Sequence, residues 1–258
     1  MSNYLIIVEG AVEEESILRP TLEKNNFTVI KHETLNFEFE NIFEKYKKIS
    51  LEKENNVIIV VQGFRNRLHD FLKMMSEYDE ISEYFNYSKN YFAGIFLVYD
   101  VDHTIREDLL DMYEKFNNPS TGLLLISNPC IQVLIDESDG PLEYLHLIEY
   151  KEDLRKKFCN CSNAELIEKI SSNMIRSLKK YYLKNRMTFN KDTLDEEVEA
   201  VIRHVANSNE VKNDKINKEK YYYLTTVIYY IIAYINKYTY RENENELLMK
   251  KLNMLETH

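Results

Sequence analysis

Residues 93–102 read AGIFLVYDVD, a continuous small and apolar run that ends in two aspartates one residue apart. An unbroken run of this kind is expected for a strand buried on both faces of a sheet. In an open parallel sheet, ligands gather outside the carboxyl ends of the strands, where the chain turns into the next helix. Asp100 and Asp102 sit at such an end, and their i, i+2 spacing lets both carboxylates point to one side of an extended segment.

On either side of this stretch, short β-branched runs alternate with longer amphipathic ones, the pattern of strands crossing over through helices. Upstream, Tyr4–Val8, Thr28–Lys31 and Val57–Val61 read as strands, and Glu13–Asn25, Phe39–Leu51 and Arg65–Tyr78 as helices. In the last of these, Leu68, Phe71, Leu72 and Met75 fall on one face. Downstream, Ile105–Phe116 is a helix and Gly122–Ile126 (GLLLI) another strand. The expectation is an α/β fold over residues 1–150, with a mainly parallel sheet flanked by helices.

Beyond residue 150 the strand-like runs give way to helical periodicity, so residues 151–258 are expected to form an all-helical region. Ala164–Leu183, Leu194–Asn207 and Glu242–Leu255 read as amphipathic helices, with polar connections at Lys184–Asp192 and at residues 208–220. Tyr221–Tyr240 (YYYLTTVIYYIIAYINKYTY) is apolar or aromatic nearly all round, which suits a helix buried in the core, a dimer interface or a partner surface. The uncharged part, Tyr221–Asn236, holds six Tyr and two Thr and is shorter than the ~20 apolar residues of a membrane span.

Composition bounds the function. With 44% hydrophobic and 12% aromatic residues, five Gly and four Pro, the 258-residue chain can bury a substantial core. Its formal charge of −10 argues against coating nucleic acid through a general positive field, although a local basic groove is compatible with it. Cys130, Cys159 and Cys161 are odd in number, and Cys159-Asn160-Cys161 lacks the usual zinc half-site spacing, so reduced cytoplasmic thiols are expected. No basic region precedes Leu5–Val8, and Glu9 ends that run, so no signal peptide is read.

A third acid completes the candidate site. Glu9 follows the strand Tyr4–Val8 and precedes Gly10, whose missing side chain leaves room for a ligand. Taken singly, Glu-Gly suits a turn and Asp-x-Asp a loop. At the ends of separate buried strands, the three carboxylates would repel one another without a cation, and so point to Mg²⁺ or Mn²⁺. Such an ion polarises a phosphoryl oxygen and activates water.

The order of these segments resembles the Toprim family: a strand ending in Glu (IIVEG, 6–10), a middle strand ending in Gly (VIIVVQG, 57–63) and a strand ending in Asp-x-Asp (FLVYDVD, 96–102). The stretch VIIVVQGFRNRLHDFLKMM is similar to the Toprim domains of OLD-family nucleases. That resemblance implies a nuclease in which Glu9, Asp100 and Asp102 are catalytic and bind metal, with Glu13 or Glu14 as a further ligand. As an alternative, Glu13–Glu15 is an acidic first helical turn favoured by the helix dipole.

SNPCIQVLI (127–135) resembles a segment of RloB-type defence proteins, with Gln132 standing where that family commonly has an acid. On its own reading, Ser127 or Asn128 caps the strand end or a helix starting at Pro129, with backbone amides open to an anion. Arg65, Arg67, His69 and His103 are further candidates for phosphate contact or proton transfer.

The resemblance, which spans residues 4–135, implies a DNA or RNA substrate, tRNA included. It also implies the role of toxic effector in anti-phage defence, as in stand-alone PARIS-type Toprim proteins. No Walker-type loop occurs, so any ATPase partner is a separate chain, and the helical region would serve dimerisation, docking or substrate choice. The competing reading is a non-catalytic module that binds a partner through the tyrosine-rich helix.

Overall fold

In the first strand, β1 (Ser2–Val8), every side chain from Tyr4 to Val8 is buried, which requires cover on both faces of the sheet. A computed structural model describes residues 2–8, 13–24, 27–33, 55–61, 92–102, 104–119, 122–136, 146–162, 164–170, 172–173, 176, 194–208, 211–212, 215–216 and 224–239. The other strands are β2 (Thr28–Glu33), β3 (Asn55–Val61), β4 (Phe92–Asp100), β5 (Asn117–Asn118), β6 (Gly122–Asn128), β7 (Val211–Lys212), β8 (Lys215–Ile216) and β9 (Leu224–Thr225).

The main sheet has the order β2-β3-β1-β4-β6-β5, with β9 paired to β6. β2 runs parallel to β3, β3 to β1 and β1 to β4, and β9 runs antiparallel to β6. This is an α/β fold with a mostly parallel mixed sheet flanked by helices. The expected strand runs are all present, each one or two residues longer at one or both ends. The predicted segments 39–51, 65–78, 184–192 and 242–255 lie outside the described residues, as does most of 171–183.

The chain divides into two units. The first comprises Met1–Val98 and Asn118–Leu123, the second Tyr99–Asn117 and Leu124–His258. In the first, the helix Glu13–Lys24 buries Ile17, Leu18, Thr21 and Leu22, a stripe at helical spacing. Tyr4 meets Phe27 edge to face, with ring centroids 6.3 Å apart. Gly94 leaves room for the Phe96 and Tyr4 rings: a Cβ there would lie 3.2 Å from Phe96 Cζ and 3.3 Å from Tyr4 Cδ1.

In the second unit, the helix Arg106–Lys115 packs Leu109, Met112 and Tyr113 against the helix Leu194–Ser208, which buries Val198, Val201, Ile202 and Val205. Arg106 Nε donates to Asn207 Oδ1 at 2.7 Å, while Tyr113, near the other end, feels the Asp195 and Glu199 carboxylates. The two helices therefore run antiparallel.

The tyrosine-rich segment departs from expectation. Leu224–Thr225 is a strand, and the helix starts only at Val227 and runs to Thr239. Ser127 Oγ and Thr225 Oγ1 share a hydrogen bond of 2.8 Å. The Ile126 amide donates to Thr226 Oγ1 at 3.0 Å, and the Thr226 hydroxyl donates to the Ile126 carbonyl at 3.1 Å. The two threonines thus carry the chain from sheet to helix, and the all-helical expectation for residues 151–258 is corrected by β7, β8 and β9. Hydrophobic periodicity missed them because each spans only two residues.

Tyr229, Tyr230 and Tyr234 are buried within the chain. Two of the hydroxyls find carboxylates on the helix Leu194–Ser208: Tyr230 donates to Glu197 at 3.4 Å and Tyr234 to Asp195. Among the described residues, no helix is long and apolar enough to cross a membrane.

Two predictions follow from this packing. Thr226→Val keeps the shape but deprives the Ile126 amide of its acceptor, and urea denaturation is expected to show a loss of about 1–3 kcal/mol. Tyr113 is pushed up to about 12, by burial first and then by Glu199 and Asp195, against Arg203. An unfolded tyrosine ionises near pH ~10, so the unfolded chain sheds this proton first. The stability that Tyr113 contributes is then complete below pH ~10 and declines as pH rises toward the folded value. In denaturation series, the advantage of wild type over Tyr113→Phe should narrow across that window; an advantage constant through it would refute the assignment.

Candidate functional site

The carboxyl end of β4 and the loop after β6 are fastened together by three hydrogen bonds. The Val101 amide donates to the Ser127 carbonyl at 2.9 Å and the Asp102 amide to the Pro129 carbonyl at 3.1 Å. The Ile131 amide donates to Asp100 Oδ1 at 3.0 Å. Asn128-Pro129 is a cis peptide. All of these residues belong to the second unit.

Asp100 and Asp102 do not share an extended segment, which corrects the simple alternation expected from their spacing. β4 ends at Asp100, and Asp102 adopts φ 47°, the left-handed region that Asp tolerates better than most residues. A tight turn closes behind it, with the Thr104 amide donating to the Val101 carbonyl at 2.7 Å and Tyr99 Oη 2.8 Å from Thr104 Oγ1. The turn directs Asp102 to a partner that the sequence did not reveal: Lys151 Nζ donates to Asp102 Oδ1, and the two side chains are only 19% and 16% exposed.

Lys151 lies on the helix Leu147–Cys159, which sequence reading had not marked. Leu147, Tyr150 and Leu154 at i, i+3 and i+7 are fully buried in a cluster with Cys130 and Val133, and this spacing was a legible signal. The helix is pinned from within. Tyr150 Oη donates to Asp136 Oδ2 at 2.7 Å, and Lys157 Nζ lies 3.7 Å from Asp136 Oδ1. Asp136 closes the 3-10 turn Ile131–Ile135, so the same short segment presents an amide to Asp100 and a carboxyl to the lysine-bearing helix.

Ser127 and Asn128 cap no helix. β6 continues through both, and both are completely buried. The turn begins after Cys130, whose side chain makes no capping bond. The anion at its first amide is the chain's own Asp100. Gln132 is 2% exposed, and its Oε1 has no hydrogen-bond partner among the described residues.

Two pKa directions follow from this setting. Burial, then Asp100, pushes the Cys130 thiol well above its ordinary value against the opposing pull of Lys151. The thiol is therefore held protonated and is a poor nucleophile. Burial alone would lower Lys151, but the charge and hydrogen bond of Asp102 outweigh it and raise the ammonium above its ordinary value. All three cysteines are free.

Of the other expected site residues, Glu9, Gly10, Gly63, Arg65, Arg67, His69 and His103 lie outside the described residues. Glu13 opens the helix Glu13–Lys24, and its side chain is not among those described. Among the described residues, no group of three or more His, Cys, Asp or Glu side chains gathers as a metal cage. No family model, curated protein or solved structure matches the chain.

Removing the Tyr150 hydroxyl leaves a buried acceptor on Asp136 without its donor. Tyr150→Phe is expected to lose about 1–3 kcal/mol of stability, read by chemical denaturation, and an unchanged midpoint would remove this bond as the support of the Lys151 helix.

Proposed function

We propose that the chain is a metal-dependent nuclease that hydrolyses phosphodiesters of DNA or RNA at the carboxyl end of β4. The observation that carries the reading is the fixed pair Asp100 and Asp102, with Lys151 beside the second. A strand end that holds two carboxylates and an ammonium in a partly buried setting is costly to build for stability alone. In the sequence, the third acid of the Toprim-like pattern, Glu9, follows Val8 at the end of the β1 segment.

The donors fit Mg²⁺ or Mn²⁺. Carboxylate oxygens are the hard ligands these ions take, and the Ile131 amide orients Asp100 without neutralising it. Asp100 and Asp102 would hold the ion together with Glu9, and Glu13 is a further candidate. When bound, the ion supplies charge stabilisation to the phosphodiester and activates water.

The chain's own residues do the rest. The interlocked loops hold the two aspartates in place, and Lys151 balances the Asp102 charge while no ion is bound. A general acid works best with its pKa near the working pH, so an ammonium raised above its ordinary value serves electrostatically rather than as a proton donor.

Within this reading the protein acts as a toxic effector of cytoplasmic anti-phage defence, with tRNA among its candidate substrates and a separate ATPase chain as its candidate partner. The second half would contribute to a homodimer or to substrate choice. The alternative of a partner-binding module is less favoured because, among the described side chains of the tyrosine-rich segment, Leu224–Ile232 and Tyr234 are buried.

The test is cleavage of plasmid DNA and of total tRNA with Mg²⁺ or Mn²⁺. Glu9→Ala, Asp100→Asn and Asp102→Asn should each lower the rate about 100-fold or more while far-UV circular dichroism stays unchanged; metal-shell changes one step further out already cost 10–100-fold in general. Wild-type protein that cleaves neither substrate with either metal and binds neither ion would defeat the proposal.

A further inference from the structure

We propose that Lys151 is a built-in counter-ion that competes with a divalent cation for Asp102, so that the protein takes up metal weakly and must move this lysine aside to do so. This inference rests on the metal-site reading above and deepens it.

Both partners are held. On one side, Asp102 is fixed by its amide bond to Pro129 and by the turn closed from Thr104 to Val101. On the other, the helix bearing Lys151 is anchored through Leu147, Tyr150 and Leu154, with the Tyr150–Asp136 bond one residue away from the lysine. Neither side chain is more than about one-fifth exposed, at 19% and 16%. Such a pair is screened by water and salt far less than a surface ion pair.

The charge balance points the same way. The Ile131 amide donates to Asp100, whereas the Lys151 ammonium donates directly to Asp102. The ammonium therefore occupies the place, at Asp102 Oδ1, where an incoming cation would bind. A second positive charge at that oxygen is repelled by the first, and the two binding events oppose each other. The geometry accounts for an otherwise unexplained choice, a lysine on the buried edge of a helix whose adjacent positions, Tyr150 and Leu154, are apolar or aromatic.

The experiment is Mn²⁺ binding to the full chain near neutral pH, by titration calorimetry and by loss of the free-ion electron paramagnetic resonance signal. Wild type would be compared with Lys151→Met, Lys151→Gln, Lys151→Arg and Asp102→Asn, and with the double variant carrying Lys151→Met and Asp102→Asn. Removing the charge should tighten Mn²⁺ binding about tenfold, a typical size for coupling between two sites, in both the Met and Gln variants. Two neutral replacements ensure that the result does not hang on one variant's folding. Arg, which keeps the charge, should stay near wild type. The gain should vanish when Asp102 is Asn, because the cycle then has no shared carboxylate.

Mn²⁺ affinity that is equal or weaker in the folded Met and Gln variants overturns the counter-ion role and leaves the metal-site reading standing. A gain that persists in the Asp102→Asn background also overturns it, since the lysine would then act elsewhere. Absence of Mn²⁺ binding in every form overturns both.

Discussion

The hydrogen bond from the Ile131 amide to Asp100 Oδ1 is the constraint on which the site depends, because it closes a loop that would otherwise leave β4 without a fixed end. With the Val101 and Asp102 amides donating to Ser127 and Pro129, it converts two separate strand ends into one rigid edge. An acid at a loop tip can turn freely and holds neither metal nor substrate at a set distance. Here, Asp100 is oriented by a neighbouring segment, and Asp102 is turned by a left-handed backbone that few residues would accept.

The interior behind this edge is held by the threonine clamp. β6 is buried along its whole length, so its end needs polar partners that water cannot supply. Thr225 and Thr226 provide them and at the same time launch the helix Val227–Thr239. Tyr230 and Tyr234 of that helix then send their hydroxyls to Glu197 and Asp195, so that an acidic chain places part of its charge inside the fold. Tyrosine meets this need where phenylalanine would not, because it brings apolar area together with a donor for each carboxylate.

Much of the fold was legible. Continuous apolar runs at Tyr4–Val8, Ala93–Tyr99 and Gly122–Ile126 could only be strands covered on both faces, and the alternation with amphipathic helices implied parallel crossovers. The C-terminal strands were not legible, since two-residue pairings at Leu224–Thr225 depend on the hydroxyls of Thr225 and Thr226 meeting β6 about a hundred positions away in the chain. Of the site, Asp100 and Asp102 were legible as acids at a strand end. Their partners were not. The link from Lys151 to Asp102 spans 49 positions, and no local pattern encodes such a pairing, although the apolar spacing of Leu147, Tyr150 and Leu154 would have revealed the helix that makes it.

One segment of the fold does two jobs. The 3-10 turn Ile131–Ile135 offers its first amide to Asp100, and Asp136 at its end receives the Tyr150 hydroxyl. Asn173 Nδ2 donates to the Leu134 carbonyl at 3.1 Å and secures the same turn from another side. Any shift of this turn would therefore move Asp100 and the lysine-bearing helix together. The relative position of carboxylate and ammonium is kept by a short, fully buried piece of chain rather than by the two charged side chains themselves. That arrangement is physically sound, because the pair's own attraction depends steeply on a separation that its flexible side chains could not hold alone.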